Sequence, residues 1–238
     1  MRPSLPDALP LHAQHGGMPE SALTEAGLCV IADADLALAG PGVLERCLAA
    51  PGHGLLVAES AAQAPGLKTV AVEAAKGGGL ALLLSAGSAW SLDVAQVFAD
   101  AVCDRWPALV CRHNVIRLAT HEALVNAVAH GCFRLPPDLR DRSNGWLEHT
   151  AAVNQALTDP TRALRPVLVT AQSVDEDDGG WRIQVADDGP GFDPATVTGA
   201  GASLPRGRGL RLIRAAVNSL AWEDNGRRVV MTVKERPA

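Results

Sequence analysis

HEALVNAVAHG, residues 121–131, is the stretch on which the fold turns. Ile116, Ala119, Ala123 and Ala127, with Leu124 and Val128 alongside, recur at helical spacing. Glu122, Asn126 and His130 lie four apart, so a helix sets them in one polar stripe. A carboxylate one turn from an amide is a chemically useful pair. The Asn126 amide oxygen can ligate Mg2+, a hard cation that takes oxygen ligands and keeps several waters. Glu122 can take the proton of a water or hydroxyl that attacks a phosphoryl group. A solvated stripe on an amphipathic helix would carry the same pattern, so the stretch must be read with its neighbours.

The next informative stretch is VADDGPGFD, residues 185–193. It follows Trp181–Ala186, whose alternation fits a half-buried strand. Asp187 would stand at the strand end, where a carboxylate can accept a hydrogen bond from an exocyclic amine. Gly189 and Gly191 allow backbone to approach a ligand closely. An acidic turn without a ligand explains these residues as well.

The third is GRGLRLI, residues 207–213. Leu210, Ile213, Val217 and Leu220 mark the apolar face of a helix that Gly207 and Gly209 precede. Backbone N–H groups at such a helix start attract phosphate. Thr196–Arg206 has the composition of a lid. A glycine-rich linker before a packing helix is the plainer alternative.

In order and context, the three stretches resemble the N box and the two glycine boxes of the GHKL ATPase superfamily. That superfamily includes gyrase, histidine kinase catalytic domains and the bacterial anti-sigma factor serine kinases. The last group is the nearest in motif form, through Glu122-Ala-Leu-Val-Asn126-Ala-Val-Ala-His130-Gly131, Asp187 to Asp193, and Gly207-Arg-Gly-Leu-Arg-Leu-Ile. The resemblance covers about Leu80 to the C-terminus. It implies a Bergerat-type α/β sandwich: a mixed, mostly antiparallel sheet with helices on one face. It also implies ATP and Mg2+ as ligands. Glu122 would be the general base and Asn126 the Mg2+ ligand. Asp187 would bind the adenine amine, Gly189 and Gly191 would shape its pocket, and Gly207 and Gly209 would touch phosphates. Arg206 and Arg208 are candidates for the γ-phosphate. The segment 132–165 is longer than the hairpin of compact anti-sigma kinases and includes a helix-like run, Leu147–Leu157. It reads as a helical flap or a partner-recognition insert.

Upstream, residues 1–20 read as a flexible tail and 21–78 as a small α/β module, receiver-like or for docking. Leu28–Ile31, Gly54–Ala58 and Val70–Val72 suggest strands, and Gly42–Ala50 a helix. Asp33 and Asp35 follow the first strand as a receiver's acidic pair does, or simply as turn residues. Gly77-Gly78-Gly79 suggests a boundary, with the ATP-binding domain at 79–238 opening on the strand Leu80–Ser85 and a helix at Leu92–Val102.

Composition narrows the function. A net charge of −5 gives no electrostatic footprint for nucleic acid. Five cysteines without a C-x-x-C pair point to reduced thiols in the cytoplasm. No apolar run reaches membrane-spanning length. The expectation is a Mg-ATP-dependent serine protein kinase of bacterial partner switching. Its partner would be a sigma factor, an anti-anti-sigma factor or a response-regulator-like protein, and a homodimer is compatible. The alternatives are the catalytic domain of a histidine kinase, with His113 as an unusual acceptor, and a non-catalytic module gated by nucleotide.

Overall fold

The computed structural model describes residues 26–174, 180–193 and 208–235. Its centre is one mixed sheet. Strands β1 (Leu28–Ile31), β2 (Gly54–Val57) and β3 (Leu80–Ser85) are parallel. From β3 onward the pairing is antiparallel, through β4 (Pro166–Val174), β5 (Gly180–Asp187), β7 (Arg228–Val233) and β6 (Ser219–Glu223). The strand order is β1-β2-β3-β4-β5-β7-β6. This is the mixed α/β sandwich that the motifs imply, except that helices cover both faces of the sheet and not one, because the segment ahead of β3 joins the same sheet.

Alternation along the strands divides the core in two. Leu80, Leu82 and Leu84 of β3 face the larger core with Val167 and Val169 of β4, Ile183 and Val185 of β5, and Met231 of β7. Helices α5 (Ala86–Ser91), α6 (Val94–Arg105) and α7 (His113–Asn126) cover that face. Phe98 of α6 and Ile116 and Ala119 of α7 are fully buried there. Burying a side chain such as Phe98 contributes about 1.5–3 kcal/mol. Asp93 starts α6 by accepting the Gln96 N–H at 3.3 Å, which satisfies one of the orphan donors of its first turn.

Ala81 and Leu83 point to the other face, where α4 (Pro65–Lys76) packs with Ala71, Val72, Ala74 and Ala75. Here Val70–Val72 is helical, not a strand. Pro65 opens α4 at its first turn, and Ala71, Ala74 and Ala75 recur at 3.6-residue spacing, so the long period overrides the short apolar run. Between β1 and β2 lie α1 (Asp33–Ala39) and α2 (Gly42–Leu48); α3 (Ala58–Gln63) follows β2. The three glycines at 77–79 form the turn from α4 into β3.

After α7 the chain makes a π-helical turn over Ala127–Cys132. The Phe133 N–H reaches back five residues to the Val128 carbonyl at 2.8 Å. The segment up to β4 then forms a 3-10 turn at Leu139–Asp141, α8 (Gly145–Thr158) and the short α9 (Pro160–Ala163). Helix α10 (Arg208–Ala216) ends before Leu220, which instead pairs with Met231 across β6 and β7. The apolar spacing from Leu210 through Leu220 therefore does not belong to one helix. Asn225–Gly226 turns the chain between these strands, with Asn225 at φ 54° and Gly226 at φ 81°, the positive values that a tight hairpin needs.

Candidate functional site

The site forms where α7, the end of β5 and the start of α10 converge. Asp187 is the last residue of β5, held from below by its own N–H, which donates to the Arg227 carbonyl at 3.0 Å. Its Oδ1 accepts the Gly189 N–H at 2.7 Å. Burial pushes the Asp187 carboxyl up to about 6. Asp188 adds to the rise, while the Gly189 N–H, Arg165 and Arg227 oppose it.

Two glycines make room for that carboxylate. A Cβ on Gly131 would stand 2.5 Å from Cγ of Asp187, and one on Gly189 would stand 2.6 Å from both Asp187 Oδ1 and Gly131 Cα. The first motif and the second thus meet backbone to backbone, and neither glycine can carry a side chain without displacing the carboxylate. Gly191 has a φ of 72°, and a Cβ there would strike the Asn225 carbonyl. It turns the chain so that the Phe192 N–H donates to that carbonyl at 2.9 Å. The Phe192 ring then meets Trp222 edge to face, 6.5 Å between centroids.

On the other side of the site, Gly209 stands at the start of α10 against α7. A Cβ on it would strike Glu122 Oε2 and lie 3.8 Å from Asn126 Nδ2. Glu122 and Asn126 are both half-buried. Asn126 Nδ2 is buried with no hydrogen-bond partner among the described residues. A buried amide left unpaired costs free energy unless a ligand completes it. Amide oxygen and nitrogen exchange places by a half-turn, so this side chain can offer either atom. The residues therefore fit Mg2+ and a nucleotide: an amide awaiting a partner, a carboxylate beside it, and a helix start facing both.

His130 does not stay in the stripe of Glu122 and Asn126. The π-helical turn changes the angular step, His130 is exposed, and its Nδ1–H donates to the Leu135 carbonyl at 2.9 Å. Gly207 and Thr196–Arg206 lie outside the described residues, and so does the side chain of Arg208.

Sequence reasoning overlooked Arg165. Its Nε donates to Asp188 Oδ1 at 3.0 Å and its Nη2 to the Asp188 carbonyl at 2.7 Å, which clamps the turn that carries Gly189. The one sequence signal was an arginine directly ahead of a strand that pairs with β5. Arg112 was overlooked as well. It is buried, and its Nη2 donates to the Ala216 carbonyl at 3.0 Å, tying the C-terminal end of α10 to the 3-10 turn before α7.

His113 begins α7 and donates from Nε2 to Asp100 at 2.7 Å in an exposed hydrogen bond. Glu122 lies nine positions further on, about 14 Å along the helix. Among the described residues no helix is long and apolar enough to cross a membrane.

Residues 88–233 match the family model described as the histidine kinase-like ATPase domain. That span contains each of the three motifs and the side chains of the site. No curated protein and no solved structure matches the chain.

Proposed function

The chain belongs to the histidine kinase-like ATPase domain family, and from that premise we propose that it is a cytoplasmic, bacterial, Mg-ATP-dependent serine protein kinase of the anti-sigma type, acting in partner switching. The observation that carries this reading is the packing of Gly209 against Glu122 and Asn126. That packing brings together the residues that in this reading serve as general base, metal ligand and phosphate-binding helix start.

Each residue has a distinct task in this account. Asp187 accepts the adenine amine, and the hydrogen bond from the Gly189 N–H fixes its orientation. Gly131 and Gly189 leave the room that this carboxylate itself occupies, and so shape the pocket around it. Asn126 and the phosphates would hold Mg2+, which when bound neutralises phosphate charge. Gly207 and Gly209 offer backbone N–H groups to the phosphates. Glu122 receives the proton of the acceptor hydroxyl.

The position of His113 favours a serine acceptor on another protein over transfer to this chain's own histidine. His113 sits at the far end of α7 from Glu122 and is engaged by Asp100. The partner in this reading is a sigma factor, an anti-anti-sigma factor or a response-regulator-like protein. The test is transfer from Mg-[γ-32P]ATP to candidate partners encoded beside this chain. Label that survives acid and is released by alkali supports phosphoserine. Acid-labile label points to phosphohistidine and refutes the serine reading. Tight ATP binding without transfer to any partner leaves a nucleotide-gated interaction module.

A further inference from the structure

Glu122 is reached from two directions. On one side is Gly209 of the phosphate turn. On the other, Glu122 lines a cavity of about 590 Å3 between α7 and the segment that joins α5 to α6. This volume lies within the roughly 300–1,000 Å3 of small-ligand pockets, so it takes a few residues of a chain and not a domain face. The half-buried Trp90 also lines it, its ring packed 5.9 Å from that of Phe133.

The rim is basic. Arg117, His121 and Arg140 are exposed and line the cavity. Neither arginine has a carboxylate partner among the described residues. Asp93, the other acid besides Glu122 on this lining, is engaged as the cap of α6. The insert adds to the same edge. Gly145 stands so close to Leu139 and Arg140 that a Cβ would lie 2.5 Å from both of their carbonyls. The next two residues, Trp146 and Leu147, are 72% and 70% exposed. Two exposed apolar residues thus follow directly on the glycine that packs against Arg140, one of the two arginines on the lining that Glu122 shares.

We infer that this cavity and the Trp146–Leu147 step are the docking site of the phosphoryl acceptor, an acidic segment of a partner protein that presents a serine to Glu122. The inference rests on the phosphotransfer reading above. The acidic residues of the segment pair with Arg117 and Arg140, and an apolar residue covers Trp146. The serine Oγ then attacks the γ-phosphorus while Glu122 takes its proton. The new Oγ–P bond forms as the bond from phosphorus to the β,γ-bridging oxygen breaks. The products are phosphoserine and ADP.

The experiment is a membrane array of serine-centred peptides, each with one leucine and flanks of either Asp/Glu or Lys/Arg. It is probed with the full chain in Mg-ATP, and bound protein and transferred 32P are read separately. The acidic peptides should retain at least about tenfold more protein than the basic ones. Arg117→Glu combined with Arg140→Glu should reverse that preference. Mg-ATP binding by calorimetry should stay within about twofold of wild type, which shows that the variant is folded. Trp146→Ala should lower retention of acidic peptides without reversing the preference. Equal retention of both sets, or a preference unchanged by the double reversal, overturns the docking site. So does a double reversal that converts a dimer to a monomer in sedimentation while acidic peptides go unretained, because the surface would then join two copies of this chain. Charge-dependent retention with no label on any peptide supports the docking surface and refutes phosphotransfer.

Discussion

Gly131 of the α7 extension and Asp187 of β5 are separated by 56 positions, yet the glycine Cα faces the carboxylate so closely that a methyl group would stand 2.5 Å from Cγ. The contact fixes how the helix that carries Glu122 and Asn126 lies over the strand end that carries Asp187. A π-helical turn makes it possible, because it brings Gly131 to face the sheet at the point where α7 would otherwise continue straight.

Gly131→Ala should therefore damage nucleotide binding more than its helix propensity suggests. Alanine normally stabilises a helix by about 1 kcal/mol over glycine. Here the added methyl must push Asp187 aside. The expected result is a lower melting temperature and ATP affinity reduced at least about tenfold. Differential scanning fluorimetry and calorimetry on the same sample check both.

The Asp187 carboxyl predicts a pH dependence with a definite sign. Its pKa in the folded chain is about 6, above the usual carboxylate value, so the folded state holds this proton more tightly than the unfolded state. Stability from this group is present below the unfolded value and is lost as pH rises through about 6. Asp187→Asn should thus raise the melting temperature of the nucleotide-free protein at pH 8 and leave it nearly unchanged at pH 4. Adenine recognition runs the other way: affinity for ATP should fall as pH drops below about 6 and the carboxylate gains its proton. Melting curves and titrations from about pH 4 to about pH 8 separate the two effects.

Much of this arrangement was legible in the sequence because it rests on local rules. Glu122 and Asn126 share a helix, and four-residue spacing places them without knowledge of the rest. Asp187 ends an alternating strand, and Gly209 starts a helix, as punctuation by acid and glycine suggests. Two readings failed where one period was taken for another. Val70–Val72 resembled a strand until Pro65 and the alanines were read together as α4. Leu220 fitted a helix face by spacing, but the Asn225–Gly226 turn commits it to a hairpin with β7. Arg165 and the Gly131–Asp187 contact depend on which strands become neighbours, and no local spacing encodes that.

Glu122→Gln should separate binding from chemistry. Glutamine keeps the shape beside Gly209 but cannot accept the hydroxyl proton. Loss of a general base typically lowers the rate by about 100-fold to 10,000-fold. Mg-ATP affinity should stay close to wild type, and phosphotransfer or ATP hydrolysis should fall within that range. Single-turnover assays with saturating ATP give the measure.

The cysteines should differ sharply in reactivity. The exposed Cys29 thiol is lowered to about 7 by a hydrogen bond from Cys47, with burial acting against it. Burial pushes Cys103 up to about 11 and raises Cys132 further, next to Asp187 and Asp188. Thiolates react and thiols do not. Iodoacetamide at pH 8 should label Cys29 first, and Cys103 and Cys132 only after denaturation, as peptide mass mapping would reveal.

Calorimetric titration of Mg-ATP into the wild type, Asn126→Ala and Asp187→Asn tests the central claim most directly. The account predicts one site on the wild type, with affinity lowered at least about tenfold by either substitution in folded protein. A folded wild type that binds no ATP, or variants that bind it as tightly as wild type, would contradict the account.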